Sequence, residues 1–493
     1  VTSLPAAPDQ SQVRYAWRVM TVTTIGALLV GVNTSTMDVA LPSVSRHFDA
    51  TPTQASWILL SYLLVNTSLI LVFGRITDLI GRRRLYLIGL LTFTGASFLC
   101  GWAPDPAWLI AFRVLQAVGG AALLCNITAL LTDAFPGRLL ATALGLNVTL
   151  AALGQVVGPV LGGALVDSFG WRSVFWFNVP LGLFGIGWAR LTLRSDRRPD
   201  RTEPFDAVGA VLSVVAVSGL VLALSEGNSM GWTSPLVLIS FAAFALAAPS
   251  FVVVERRRPY PMLDLAVFLD RERGLAYLAL FLMALARFAV VLMISLYLQA
   301  ASGASALDAG TQVLFVALGM AIVSPVAGRL AGRHSARILS SAGAALIALP
   351  LFVLAVEIGP DINRIELAGL LSLIGVGTGL FMTPNTSSIM ISVVPARRGV
   401  ANGARQAVQQ AGYVISTALA LLMITINLSE TDKRSAYAGT LAQLSPHALH
   451  EFTSGYRIAF VVLATICVVA VFASLSRNPR PVGSAEPEAV EAP

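Results

Sequence analysis

The sequence predicts an all-α, polytopic membrane protein. Its 493 residues are 56% hydrophobic and only 12% charged, with a mean hydropathy of +0.76. That is roughly half the charge of an ordinary soluble domain. The apolar residues fall in repeated runs of the ~20 residues that cross ~30 Å of hydrocarbon. The arginines fall between those runs, in short clusters that recur on every second connection.

Fourteen runs qualify as spans, at roughly 17–43, 54–74, 85–103, 107–132, 139–166, 172–193, 207–225, 233–254, 274–299, 308–330, 338–358, 365–390, 400–426 and 456–476. One set of connections is rich in arginine. It holds Arg75 with Arg82 to Arg84, Arg138, Arg194 to Arg201, Arg256 to Arg258, Arg329 to Arg337, and Arg397 with Arg398. The alternate set holds few basic residues: Arg46, Arg172, Arg364, Lys433 and Arg434. The positive-inside rule makes the first set cytoplasmic and puts both termini on that side. The first fifteen residues are polar and hold no signal-peptide core.

The net charge of +7 is nearly all arginine, with Lys433 the single lysine. This usage fits GC-rich coding and a bacterial cytoplasmic membrane. Basic residues scattered between apolar runs argue against a nucleic-acid partner. Cys100, Cys125 and Cys467 lie in separate runs, so neither a metal site nor a disulfide framework is expected. No P-loop is present and no nucleophile–base set stands out. Neither a cofactor nor an enzyme is expected.

The chain repeats itself. "GRITDLIGRRR" begins at Gly74, and a worn copy, "GRLAGRHSAR", begins at Gly328, with Gly332 in place of Asp78. Such duplication of a helix bundle is a transporter signature. The copies lie further apart than the ~200 residues that six spans require. The surplus fits the runs at 207–225 and 233–254, read as a pair inserted between two six-helix bundles. The predicted layout is a tail over 1–15, a first bundle over 16–194 and inserted spans with flanking loops over 195–272. A second bundle over 273–476 and a tail over 477–493 complete it.

Five segments carry a family resemblance: "GRITDLIGRRR", "RVLQAVGGAA" (113–122), "GQVVGPVLGG" (154–163), "WRSVFWFNVPLG" (171–182) and "NTSTMDVALP" (33–42). Over essentially its whole length the chain resembles the major facilitator superfamily. More narrowly it resembles the fourteen-span drug:proton antiporters. Two departures from the family pattern stand out. Asn33 and Asp38 exchange the usual acid and asparagine of span one, and Ala117 replaces a glycine in span four. The resemblance implies alternating access, a small amphiphilic substrate, protons and membrane lipids as partners, and a monomer.

Asp38 is the residue that most needs explaining. A carboxylate within a span costs ~2.5–3.5 kcal/mol to insert and normally faces a cavity or a partner. Asp38 and Arg113 lie at matched depth, roughly 8–9 Å from the same boundary at 1.5 Å per residue. On helices that the resemblance makes neighbours, they form a candidate proton-coupling pair. The alternative is a static buried ion pair. Thr34 shares a helix side with Asp38, whereas Asn33 is turned ~140° away.

The candidate substrate cavity comprises Asn33, Thr34, Gln116, Asn126, Gln155, Arg287, Gln312, Asn385 and Gln409, all polar within spans. Each equally suits a helix–helix hydrogen bond. Arg287, near the middle of span nine, must find an acid, a carbonyl, water or a ligand. It leaves neutral, zwitterionic or anionic substrates open. The candidate gate comprises two parts. Gly154, Gly158 and Gly162 form a smooth stripe beside Pro159, where helices approach closely. Gly74, Asp78, Gly81, Arg82 and Arg83 form a cytoplasmic latch. Within "AGTLAQLSPHALHEF" (438–452), a short interfacial helix is expected.

These features predict a proton-coupled exporter of amphiphilic compounds. The alternatives are a dedicated exporter or flippase of one endogenous lipid or metabolite, and a non-transporting membrane scaffold or regulator.

Overall fold

The computed structural model describes residues 10–194, 206–258, 263, 265–331, 333–393, 398–441 and 446–478. Among these it contains α-helices and no strand. In order they are α1 (Gln10–Phe48), α2 (Pro52–Ile80), α3 (Arg82–Gly101), α4 (Pro106–Ala134), α5 (Gly137–Phe169), α6 (Arg172–Trp176), α7 (Asn178–Thr192), α8 (Ala207–Met230) and α9 (Pro235–Arg257). There follow α10 (Ala266–Leu269), α11 (Arg271–Arg287), α12 (Val290–Ser302), α13 (Ala306–Ala331), α14 (Ala336–Glu357), α15 (Arg364–Ile391), α16 (Arg398–Thr425), α17 (Glu430–Tyr437) and α18 (Pro446–Leu475).

Local chemistry sets the helix ends. Thr51 and Gln54 form a reciprocal capping box ahead of α2, with Pro52 in its first turn. Asp105 caps α4 by accepting from the Trp108 amide at 3.0 Å. Gly81 separates α2 from α3 at φ 93°, a conformation that disfavours any side chain.

Twelve helical segments among the described residues are long and apolar enough to cross a membrane, where the sequence predicts fourteen spans. The two predicted spans outside the twelve fall on α2 and α5, which are 29 and 33 residues long. Each includes residues whose side chains lie outside the described set. The predicted span at 274–299 is broken. α11 stops at Arg287, and α12 starts at Val290. The Ala289 amide at this break donates to Ser416 Oγ at 3.1 Å, which satisfies a backbone group that lipid would leave bare.

The helices pack in two groups. One contains α1 to α5 with α7, and the other contains α11 to α16 with α18. They meet through α5 with α13, α2 with α16, and α1 with α12. α8 and α9 pair with each other, and α8 lies against both α2 and α16, at the seam between the groups.

The short helix expected within 438–452 is displaced. α17 lies earlier, at Glu430–Tyr437, and α18 already begins at Pro446. Residues 442–445 lie outside the described residues. The chemistry favours the earlier position. Ser429 accepts from the Asp432 amide at 3.2 Å, and acids fill the first turn where the helix dipole welcomes them.

Candidate functional site

Gln10 and Leu475 lie at one end of the molecule, the terminal end; the opposite end, reached by α1 at Phe48, is the far end. A cavity of about 1160 Å³, counting the open space at its mouth, lies between the two helix groups. Its walls come from α1, α2, α4 and α5 on one side, and from α11, α13, α15 and α16 on the other. Thr34, Gln155, Arg287 and Gln409 line it.

The other residues proposed for the cavity do not line it. Asn33 and Gln116 are fully buried. Gln116 Nε2 donates to Asn33 Oδ1 at 3.0 Å and to Ser97 Oγ at 2.8 Å. Asn126 accepts from Thr77 Oγ1 at 3.1 Å. Asn385 accepts from Arg477 Nη1 at 2.9 Å, and Gln312 donates to the Arg364 carbonyl at 3.4 Å. Amides surrounded by apolar helices satisfy one another first, because an unpaired polar group there is expensive.

Arg113 sits at the centre of the first group, 1% exposed. Its Nε donates to the Ile58 carbonyl at 3.1 Å, and Nη1 donates to Gln116 Oε1 at 3.0 Å. Its guanidinium lies 4.4 Å from the centre of the Tyr62 ring. Asp38 is half-buried and makes no hydrogen bond or ion pair among the described residues. The salt bridge that matched depth suggested between Asp38 and Arg113 is not formed among the described residues. Asp38 lies one helical turn, ~6 Å, beyond cavity-lining Thr34 toward the far end.

The far end is sealed just past Asp38. Gln299 Nε2 on α12 donates to the carbonyl of Val39 at 3.1 Å. Arg46 Nη1 donates to the Ala438 carbonyl at 2.6 Å, and the Leu307 amide donates to Asp167 Oδ2 at 3.0 Å. Arg434 pairs with Asp49 at 3.5 Å. Toward the terminal end, Asn402 Nδ2 reaches across to Thr128 Oγ1 at 2.6 Å.

The glycine stripe divides its work. A Cβ added at Gly154 would meet Leu28, one at Gly158 would meet Ser35, and one at Gly162 would meet Thr36 Cα at 2.9 Å. All three therefore face α1, within their own group. The close approach between groups is made by two other glycines. A Cβ at Gly163 would meet Leu307 Cα at 2.6 Å, and one at Gly310 would meet the Pro159 carbonyl. Gly163 was legible as the last residue of "GQVVGPVLGG"; Gly310 stood in no motif.

In the second proposed gate region, Arg82 pairs with Asp133 and donates to the Ala129 carbonyl at 2.8 Å, tying α3 to α4. Arg83 donates to the Arg190 carbonyl at 3.3 Å. Gly74 is exposed. The Asp78 side chain lies outside the described residues, as does Gly332 of the second copy.

Sequence reasoning missed Arg405 and Tyr413. Both line the cavity from α16, four residues to either side of Gln409. That i, i+4, i+8 spacing was the available signal.

Two groups of spanning helices around a central cavity, closed at one end, are the architecture of a membrane transporter. The chain belongs to the Major Facilitator Superfamily, whose model matches residues 23–263 and 276–493. It is 34% identical to the multidrug resistance protein Stp of Mycobacterium tuberculosis, over 83% of this chain and 76% of that one. It is 33% identical to the puromycin resistance protein pur8 of Streptomyces alboniger, over 92% of this chain and 90% of that one. In fold it is similar to an inward-facing bacterial homologue of the human lysosomal transporter Spinster, with a TM-score of 0.63 at 18% identity. That match covers 96% of this chain and 97% of the other.

Proposed function

We propose that this transporter is a proton-coupled exporter of amphiphilic compounds in a bacterial cytoplasmic membrane. It has fourteen spans, and both termini are cytoplasmic. α2 and α5, at 29 and 33 residues, exceed the ~20 residues a span needs and supply the two spans beyond the twelve. The arginine-rich connections supply the orientation. Resistance to multiple drugs or to puromycin in the relatives' names supports export of small organic compounds.

The observation that carries the coupling is the position of Asp38. Its carboxylate has no hydrogen-bonding partner among the described residues and stands one turn beyond the cavity. The next residue, Val39, gives its carbonyl to the far-end seal. Protonation at Asp38 and opening at Val39 therefore act on the same turn of α1. In this mechanism a proton arriving from the far side neutralises Asp38 as the seal opens and substrate leaves. It departs to the cytoplasm when the helix groups rock back. Arg113, held by the Ile58 carbonyl and Gln116, is the fixed cation of the same helix group.

The test is proton flux in proteoliposomes containing a pH dye, under an inward proton gradient. Substrate-dependent flux in wild type that disappears in Asp38→Asn supports the reading. Flux that survives this substitution moves the coupling elsewhere. No flux with any amphiphile favours the dedicated lipid or metabolite exporter, or the scaffold.

A further inference from the structure

We propose that the central cavity selects an anionic amphiphile, whose carboxylate, sulfonate or phosphate group docks between Arg287 and Arg405. This rests on the exporter reading above and names its substrate class.

Two guanidinium groups line this cavity. Arg405 is 4% exposed. Its Nε donates to Asn402 Oδ1 at 2.9 Å, Nη1 donates to Gln409 Oε1 at 2.8 Å, and Nη2 donates to Gln406 Oε1 at 3.2 Å. All three partners are neutral amides of its own helix. Arg287 Nη2 donates to Tyr413 Oη at 2.9 Å, and its buried Nε has no partner among the described residues. Gln409 Nε2 also donates to Tyr413 Oη. Arg405, Gln409, Tyr413 and Arg287 thus form one continuous polar ladder along the wall.

A buried cation ordinarily sits beside a carboxylate. Among the described residues, neither arginine has an ion pair, and the cavity lining contains no Asp or Glu. The groups that the other walls present are neutral: Thr34 from α1, Asn66 from α2, Thr128 from α4, and Asn147 and Gln155 from α5. α13 and α15 present Met320 and Met382. Asp38, the nearby acid of α1, is not part of the lining.

The cavity is therefore a low-dielectric space with two positive charges and no counter-charge on its described walls. Charge-assisted hydrogen bonds to a bound anion complete it. The apolar part of the ligand fits against Met320, Met382 and the aliphatic residues opposite. A cationic drug meets repulsion in the same place.

The test uses two fluorescent probes with one body and opposite heads: 11-(dansylamino)undecanoic acid and N-dansyl-undecane-1,11-diamine. Equilibrium binding is measured to the full chain in phosphatidylcholine nanodiscs, with no proton gradient. The carboxylate probe should bind at least about tenfold tighter than the amine. Arg287→Gln and Arg405→Gln should each weaken it roughly tenfold or more, the scale of one charge-assisted hydrogen bond. Arg405→Lys should recover most of the loss, and it serves as the reference if Arg405→Gln does not fold. Amine binding as tight as carboxylate binding overturns the proposal. So does carboxylate affinity that is unchanged in both glutamine variants. In wild type, adding phosphatidylglycerol assigns the source. Competition that Arg405→Gln removes points to a lipid headgroup; absence of competition points to a soluble amphiphile. Because no gradient is used, lost binding with intact proton flux sinks this inference alone. Intact binding without flux sinks the antiport reading alone.

Discussion

Gln116 is the junction between Arg113 and Asn33: its amide oxygen accepts from Arg113 Nη1 at 3.0 Å, and its amide nitrogen donates to Asn33 Oδ1 at 3.0 Å. Asn178 Nδ2 reaches the same Asn33 oxygen at 3.4 Å. The Gln116 amide therefore holds three buried polar side chains, Arg113 of α4, Asn33 of α1 and Ser97 of α3. Gln116→Leu should destabilise the protein by about 1–3 kcal/mol, because it strands buried donors and acceptors that water cannot reach. Thermal unfolding in detergent reads this as a lowered midpoint. An unchanged midpoint would mean the network is strained or water-filled.

Arg113→Lys should keep the fold and lose much of the function. Lysine retains the charge but not the planar fork that serves Ile58 and Gln116 together, nor the guanidinium face over Tyr62. Substrate-driven proton flux should fall on the order of tenfold, with folded yield preserved. Full flux would show that the positive field alone suffices.

Two neighbouring glycines should behave differently. Gly162→Val drives a side chain into the backbone of α1 at Thr36, inside one helix group, and should cost about 1–3 kcal/mol by overpacking. Gly163→Val drives one into Ala306 and Leu307, across the seam. It should open the far end without unfolding either group. Spin-label distances between Asp105 and Asp361, on far-end turns of opposite groups, should lengthen in Gly163→Val and remain short in wild type. Equal loss of folded protein in both variants would refute the distinction.

Gly74→Ala should be neutral despite its place in a family motif. Among the described residues, nothing lies within 4 Å of the added carbon, and the position is exposed. Alanine is also the better helix former, by about 0.8–1 kcal/mol. Lost flux without lost stability would point to a role for Gly74 in a different conformation.

Trp57 donates its indole N–H to Glu226 at 2.6 Å, joining α2 to α8. Trp57→Phe keeps the aromatic packing and removes this bond. It should lower stability by about 1.5–3 kcal/mol, the range for a hydrogen bond to a charged group. The check is a lowered unfolding midpoint together with faster proteolysis in the connections flanking α8 and α9.

The twelve membrane-length apolar helices were legible because they follow from local rules. A run of ~20 apolar residues has few alternatives to a membrane helix, and a carboxylate at Asp38 is conspicuous against it. Relations across the molecule were not legible. Nothing near Gly310 indicates that it meets the Pro159 carbonyl, because that contact depends on how two helix groups dock. The break after Arg287 was hidden for a similar reason. No proline marks it, and the hydroxyl that receives the freed amide, on Ser416, belongs to a distant segment. Asn33, Gln116 and Asn385 read as cavity residues because an amide in a span looks functional. Only their neighbours reveal that they are bonded to one another and to other helices.

The α8–α9 pair sits where the two helix groups meet. α8 is pinned to α2 by Trp57 and Glu226, and it packs against α16, with Val221 of α8 and Val414 and Ala418 of α16 buried in one apolar cluster. If the halves turn against each other as proposed, the pinned face would hold and the oily face would slide. α9, only 17% of whose apolar stretch is buried, would then be carried through the bilayer like a fin. Bilayer viscosity and thickness would then bear on the turnover rate. A carrier lacking this fin would feel its membrane only at its rim.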